Sequence, residues 1–283
     1  ATTPIDQEVL KTMFSVMENH YGNPSSIHSH GREVRTLVEK ARKSVAQILN
    51  TAPANIFFTS GGTEADNMAI RCAIEDFGIK HAITSKIEHH AVGHTLVHLE
   101  QQGKIKLSYV DVDEKGSINY HHLEELLKDN ERSLVSLMHA NNELGTLTDI
   151  EKVGEICEQY HAIFHSDTVQ TMGHYKHDLS KLKVHFLVCA AHKLHGPKGA
   201  GFLYVNPSIK IKPMIFGGAQ ERNMRGGTEN VYGIVGLSKA LEMAYADMEA
   251  HQQHIQALKD YMITELQKAI PEIGFNGETD AKK

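Results

Sequence analysis

Short apolar segments alternate with amphipathic stretches along most of this chain. In SHGREVRTLVEKARKSVAQILN, apolar residues recur every three or four positions, which predicts a helix with one buried face. The apolar segments are too short for helices and predict strands. The predicted strands are NIFFTS (55–60), HAITS (81–85), KLSYVDV (106–112), SLVSLMHA (133–140), AIFHSD (162–167) and HFLVCAA (185–191).

This alternation predicts an α/β fold with a mostly parallel sheet covered by helices on both faces. In such sheets, ligands bind at the carboxyl ends of the strands. A long helical pattern runs from Val231 to Lys268, and we place a domain boundary within it. We therefore predict a large domain over residues 1–245 and the beginning of a smaller C-terminal α+β domain over residues 246–283.

Composition narrows the class of protein without indicating its chemistry. The 283 residues are 41% hydrophobic and 23% charged, as in soluble globular proteins, and the net charge of −6 argues against binding nucleic acid or anionic membranes. Neither a spanning segment nor a signal-peptide pattern is found, and the three cysteines lack CxxC spacing. A cytoplasmic, reducing setting follows. The 20 histidines lack the spacing of metal ligands, so we predict no metal site.

The first strand is followed by Gly61-Gly62-Thr63-Glu64, which opens a predicted helix. Small residues let a ligand approach the backbone, and the first amides of a helix favour an anion. The segment therefore predicts a phosphate cradle. A plain helix start is the alternative, because Ser60 and Thr63 are good capping residues.

Polar residues also follow three later strands. His89 in SKIEHHAV would stack on a planar ligand, bind a metal or cap a helix. Asn142 in MHANNELG would hold a substrate or a neighbouring loop. Asp167 in FHSDTVQ ends a buried strand, where a carboxylate needs a cation or a hydrogen-bond donor. A protonated ring nitrogen would be such a partner, and a turn cap is the alternative.

Lys193 in CAAHKLHGPKGAG follows a buried strand, where a lysine is costly unless it is used. A phosphate-loop role fails because the glycines follow the lysine with the wrong spacing. A solvated lysine and a lysine bound covalently to a cofactor remain. The phosphate cradle, the aspartate and the histidine favour the covalent role, because together they are what pyridoxal 5′-phosphate (PLP) requires.

Eight segments, in order and over nearly the whole chain, resemble cysteine desulfurases of the NifS/IscS type, which are class V aminotransferase-like, fold-type I PLP enzymes. The segments are ATTP, GNPSSIHSHG, FTSGGTEADNMAI, TSKIEHHAV, MHANNELGT, HSDTVQ, HKLHGPKGAG and GGAQERNMRGGTEN. The resemblance implies conversion of L-cysteine to L-alanine and a protein-bound persulfide. It also implies a homodimer and a sulfur-acceptor protein such as an iron–sulfur scaffold.

The resemblance also implies roles around the cofactor ring. Lys193 would hold PLP covalently and move a proton at the substrate. His89 would stack on the ring and take part in proton transfer. Asp167 would pair with the ring nitrogen, and Gln170 would donate to the phenolic oxygen.

At the phosphate end, the resemblance implies contacts from Thr63, His192 and the backbone near Gly62. Thr228 would reach the phosphate of the other subunit. Asn142 would contact the substrate or the phenolic oxygen.

The sequence departs from the family pattern in two respects. Ala190 stands where the family has a serine that donates to the phosphate. The segment with the family's nucleophilic cysteine and the arginine for the substrate carboxylate is missing, so we interpret the sequence as an incomplete record of a longer protein. Cys72, Cys157 and Cys189 fall at positions predicted to be buried, which argues against any of them as the nucleophile.

Two further functions remain open from the sequence. An aminotransferase or a selenocysteine lyase of the same class would keep PLP and change the reaction. A catalytically silent, truncated PLP-binding dimer would keep only the cofactor.

Overall fold

The computed structural model describes residues 2–128 and 132–279. The helices are α1 (Gln7–Asn19), α2 (Ser29–Ile48), α3 (Gly62–Phe77), α4 (His90–Gln101), α5 (Tyr120–Lys128), α6 (Ile150–Gln159), α7 (Val231–Ala246) and α8 (Met248–Ala269). The strands are β1 (Ile56–Thr59), β2 (His81–Thr84), β3 (Lys106–Tyr109), β4 (Ser133–Ser136), β5 (Ile163–Asp167), β6 (Phe186–Ala190) and β7 (Gly201–Val205).

The seven strands form one sheet in the order β1-β7-β6-β5-β4-β2-β3. Strands β2 to β6 pair in parallel, whereas β7 is antiparallel to both β6 and β1. The prediction of an α/β fold with a mostly parallel sheet between helices is confirmed. The reversal at β7 follows from its short connection to β6, because parallel neighbours need a longer crossover.

Helices cover both faces of the sheet, and the side chains of each strand alternate between them. On β6, Leu187 faces the core formed with α1, α2, α5, α6 and α7, whereas Val188 faces the core formed with α3 and α4. Both side chains are fully buried. Each face of the sheet therefore has its own hydrophobic core. This explains why the sequences of these strands are continuously apolar.

Three elements differ from the prediction by more than two residues or by a break. The predicted strands at 106–112 and 133–140 end early, with β3 at Tyr109 and β4 at Ser136. The helical pattern from 231 to 268 is interrupted at Asp247, between α7 and α8. Apolar side chains of α8 such as Leu258 and Met262 are exposed. The division into domains at residue 245 stays a prediction.

The topology places the ends of five strands at one edge. Since β1 and β6 are both antiparallel to β7, the carboxyl ends of β1, β2, β4, β5 and β6 lie on the same side of the sheet. Each is followed by one of the polar segments singled out above. Within residues 2–128 and 132–279, none of the helices combines the length and apolar content that a membrane span needs.

Candidate active site

A cavity of about 210 Å³ at this edge of the sheet brings together eight of the nine predicted site residues. They are Gly62, Thr63, His89, Asn142, Asp167, Gln170, His192 and Lys193. The ninth, Thr228, lies elsewhere, in a neighbouring cavity of about 140 Å³. The two cavities flank the turn between β1 and α3.

The acid group of the site is Asp167, which ends β5 and is 5% exposed. The Val169 amide donates to its Oδ1 at 2.9 Å. Burial raises the pKa of Asp167 to about 7, and the nearby Asp66 carboxyl adds to the rise. A carboxyl group with such a pKa favours a cationic ligand, because a positive charge would restore its ionised form.

Two further carboxyl groups were missed by the sequence analysis. Asp66 lines the same cavity and is 1% exposed, and burial raises its pKa well above the usual range. Its Oδ1 lies 3.3 Å from Nε2 of the fully buried His165. Glu88 accepts hydrogen bonds from Ser85 Oγ and the Met138 amide, both at 3.0 Å.

Burial of the Glu88 carboxyl raises its pKa to about 8, the Met138 amide opposes the rise and the Asp167 charge adds to it. Helical spacing was the available signal for Asp66, since it lies one turn after Gly62 on α3. No sequence pattern indicated that Glu88 is a buried acid, and only the packed structure shows it. Two acids, Asp66 and Asp167, therefore line the cavity, and the charges of both act on Glu88.

The start of α3 has the form expected of a phosphate cradle. Gly61 occupies the cap position with φ of 150°, and no side chain caps the helix, so the alternative of a helix start capped by Ser60 or Thr63 does not hold. Thr63 is exposed and lines the cavity. A Cβ at Gly62 would lie 2.7 Å from Val169 Cγ2, so only glycine allows this close approach.

Of the three roles considered for His89, the structure shows the helix cap. It caps α4, its Nδ1 accepting a hydrogen bond from the Ala91 amide at 3.1 Å, and it also lines the cavity. In the following loop, Asn141 holds the backbone, donating to the Ile87 carbonyl at 2.7 Å. Asn142 is exposed and faces the cavity.

Lys193 lies in a short 3-10 turn after β6, half-buried beside the cavity. The N-terminal segment holds this turn, since the Thr3 amide donates to the His192 carbonyl at 2.9 Å. Burial and the charge of Lys193 lower the pKa of His192. A neutral imidazole next to an ammonium group is suited to donate or accept a hydrogen bond rather than to carry charge.

The three cysteines are buried, as predicted. Burial raises the pKa of Cys72 to about 12 and those of Cys157 and Cys189 above any physiological range. Thiols in such settings are inert, because the thiolate is the nucleophile. Among the described residues, no group of three or more His, Cys, Asp or Glu side chains has the arrangement of a metal site.

Comparison with known proteins identifies the family. Residues 1–283 match the Aminotransferase class-V family. The chain belongs to this family. It is 44% identical over 280 residues to cysteine desulfurase IscS of Dictyoglomus turgidum, covering 98% of this chain and 70% of that protein. It is 43% identical to the putative cysteine desulfurase IscS 1 of Bacillus subtilis, covering 99% of this chain and 74% of that protein.

Solved structures agree with this assignment. A NifS-like protein superimposes with a TM-score of 0.91 at 39% identity, covering 94% of this chain and 74% of that chain. SspA in complex with cysteine superimposes with a TM-score of 0.81 at 34% identity, covering 85% of this chain and 70% of that chain. The predicted resemblance and fold class are confirmed.

Proposed function

We propose that this protein is a PLP-dependent cysteine desulfurase that acts on L-cysteine. The observation that carries the proposal is the single cavity lined by eight residues from five separate strand ends. Relatives named cysteine desulfurase IscS and a structural neighbour in complex with cysteine support the substrate.

The residues of the cavity fit PLP. Asp167 would hold a proton on the ring nitrogen, because a buried acid with a raised pKa regains its charge beside a cation. Gln170 would donate to the phenolic oxygen, and His89 would contact the ring. When bound, PLP supplies an electron sink for the negative charge that develops at Cα of an amino acid. Lys193 would hold PLP covalently and would move a proton at Cα of the substrate.

The phosphate end of PLP would lie against the start of α3. Thr63, His192 and the amides following Gly62 line that part of the cavity, and the helix start favours an anion. Thr228 lies outside this cavity and is exposed. We propose that it contacts the phosphate in a second protomer, so that the active form is a homodimer.

The sulfur acceptor is a thiol other than Cys72, Cys157 and Cys189, because all three are buried. In the proposed reaction, the Cβ–S bond of L-cysteine breaks, alanine is released and a thiolate takes up the sulfur as a persulfide. Transfer to a partner protein such as an iron–sulfur scaffold, in the cytoplasm, completes the proposal.

Borohydride reduction tests the covalent link to Lys193. The purified protein is incubated with PLP, reduced, digested and mapped by mass spectrometry. We expect one reduced PLP on the peptide that contains Lys193, none in Lys193→Ala, and an unchanged yield in the matched control Lys198→Ala, since Lys198 is exposed in the same connection between β6 and β7. An adduct on other lysines, or none, would contradict the PLP assignment.

Product analysis tests the reaction. With L-cysteine and an excess of a small thiol as acceptor, we expect equal amounts of alanine and sulfide. Transfer of the amino group to a 2-oxo acid would indicate an aminotransferase instead, and turnover confined to selenocysteine would indicate a lyase. PLP binding without turnover of any of these would indicate a silent binding protein.

A further inference from the structure

The glycine-rich loop, residues 216–230, is fastened to β1 by a buried ion pair. Two bonds join Arg42 and Glu221, with Nη1 to Oε2 at 2.7 Å and Nη2 to Oε1 at 2.8 Å, and both side chains are 3% exposed. Glu221 Oε2 also accepts from the Phe58 amide, and Arg42 donates to the Ile56 carbonyl. The pair therefore satisfies the open edge of β1 and fixes one end of the loop to it.

A second ion pair lies next to the proposed phosphate cradle. Arg225 Nε and Nη2 donate to the two carboxylate oxygens of Glu64, at 2.8 and 3.0 Å, while Nη1 donates to the Gly226 carbonyl at 3.2 Å. Glu64 follows Thr63 in the sequence, and Thr228 lies two residues beyond Gly226. One planar guanidinium thus joins the first turn of α3 to the backbone that carries Thr228.

The loop itself has a fixed shape. Glu221, Arg222 and Asn223 have φ of 44°, 57° and 64°, which non-glycine residues adopt only where surrounding contacts hold them. The Gly227 amide donates to Gln220 Oε1 at 3.1 Å and closes the loop. A shift at the Arg42–Glu221 pair or at the Arg225–Glu64 pair would therefore move the rest of the loop with it.

We propose that Glu64 and Arg225 are positioning residues that set Thr228 of one protomer for the phosphate in the other. The inference rests on the proposed function, in which PLP binds and Thr228 acts across a homodimer. Arg225 and Thr228 line the same small cavity, which is separate from the one that holds Lys193. The effect of Arg225 on PLP retention is exerted through Thr228.

A double-mutant cycle measured on PLP affinity tests this dependence. Apoprotein of Arg225→Met, Thr228→Ala and the double variant is titrated with PLP and followed by cofactor absorbance. Each single variant should bind PLP about tenfold more weakly, the size expected for one hydrogen bond to a charged group. The double variant should bind no more weakly than the singles, because both changes remove the same contact.

Two controls separate positioning from general loss of structure. Lys104→Met removes a surface ion pair of similar length, with Lys104 Nζ 2.7 Å from Glu75, and should leave PLP affinity unchanged. Arg225→Lys keeps the charge and loses the paired contacts, so it should restore affinity only in part. Additive losses in the double variant, about a hundredfold in total, would overturn the inference.

Mixed dimers determine which site the pair serves. A dimer of one Arg225→Met protomer and one Lys193→Ala protomer keeps one covalent site, served by an intact loop, and should retain PLP like the wild type. If both changes are on one protomer, the remaining site is served by the altered loop and should retain PLP about tenfold less well. Equal retention in the two dimers would overturn the inference alone, whereas a wild-type protein that binds no PLP would overturn the proposed function as well.

Discussion

Two regions of this molecule each bury a carboxylate, and they do so in opposite ways. Glu221 is 5% exposed and shares two hydrogen bonds with the Arg42 guanidinium. Asp167 is also 5% exposed, accepts a hydrogen bond from the Val169 amide and, within the described residues, forms no ion pair with Lys or Arg.

The difference separates a charge that is neutralised within the fold from one that a cationic ligand would neutralise. Around Arg42, burial alone would lower the pKa, but the hydrogen bonds and charge of Glu221 raise it overall, so Arg42 stays protonated. Burial without a cation leaves the pKa of Asp167 at about 7. An unpaired acid on a cavity wall is costly to folding, and a cationic ring nitrogen would offset that cost.

The largest expected effect is on the rate of proton exchange when Asp167 is replaced. Asp167→Asn should slow exchange of the Cα proton of L-alanine, the proposed product, with solvent by roughly 10²–10⁴-fold, because an amide cannot keep the ring nitrogen protonated. NMR of L-alanine in D₂O measures this exchange. Glu75→Gln, at the exposed pair with Lys104, should leave the exchange rate of PLP-loaded protein near that of the wild type. An Asp167→Asn rate within threefold of wild type, roughly 0.6 kcal/mol, would remove the proposed role.

Breaking the Arg42–Glu221 pair should instead reduce the stability of the fold. Arg42→Met keeps the apolar stem but leaves Glu221 buried without its cation, which should lower the free energy of unfolding by about 3–5 kcal/mol. Urea denaturation of the cofactor-free protein measures this loss. Lys104→Met, at an exposed pair, should cost less than about 1 kcal/mol. Similar losses in the two variants would show that the buried ion pair contributes no more to the free energy of unfolding than the exposed one.

The stability of the cofactor-free protein should depend on pH, because burial raises the pKa values of Asp167 and Glu88. A carboxyl with a raised folded-state pKa stabilises the fold fully below its unfolded pKa and loses that contribution as pH rises through the folded pKa. For Asp167 this stabilising contribution keeps falling up to a pH of about 7, and for Glu88 up to a pH of about 8. The lowered pKa values of His139 and His177, about 4 and about 3, act in the opposite direction, but only below pH of about 6.5.

Between pH 6.5 and 8 we therefore expect the free energy of unfolding to fall by about 2 kcal/mol. Urea denaturation across this range measures it. Asp167→Asn and Glu88→Gln should each flatten the profile, because an amide does not titrate. A wild-type profile that rises with pH in this window would contradict the assignment of these acids as unpaired.

The smallest expected effect concerns the position where the family has serine. Ala190 lines the cavity, and its Cβ would lie 3.6 Å from a Cβ placed on Gly62, so a hydroxyl there is close to the proposed phosphate site. Ala190→Ser should tighten PLP binding about fivefold, the value of one hydrogen bond of about 1 kcal/mol. Titration of the apoprotein measures it, with Ala190→Val as the control that adds bulk without a donor.

Much of the fold was predictable from local patterns. Apolar runs and helical spacing identified the strands and helices, since burial repeats along each element with its own period. The candidate site was predictable for the same reason: polar segments that follow parallel strands must meet at one edge, and eight of the nine residues do.

Tertiary structure alone decided what these local patterns do not encode. The partner of Arg42 is 179 residues away in sequence, and nothing near Glu221 indicates which cation it meets. Asp66 and Glu88 gained their raised pKa values from burial against other elements. The sequence by itself determined which side chains stand at the strand ends. Packing decided which charges are neutralised there and which carboxyl groups keep raised pKa values, because desolvation depends on all the surrounding elements together.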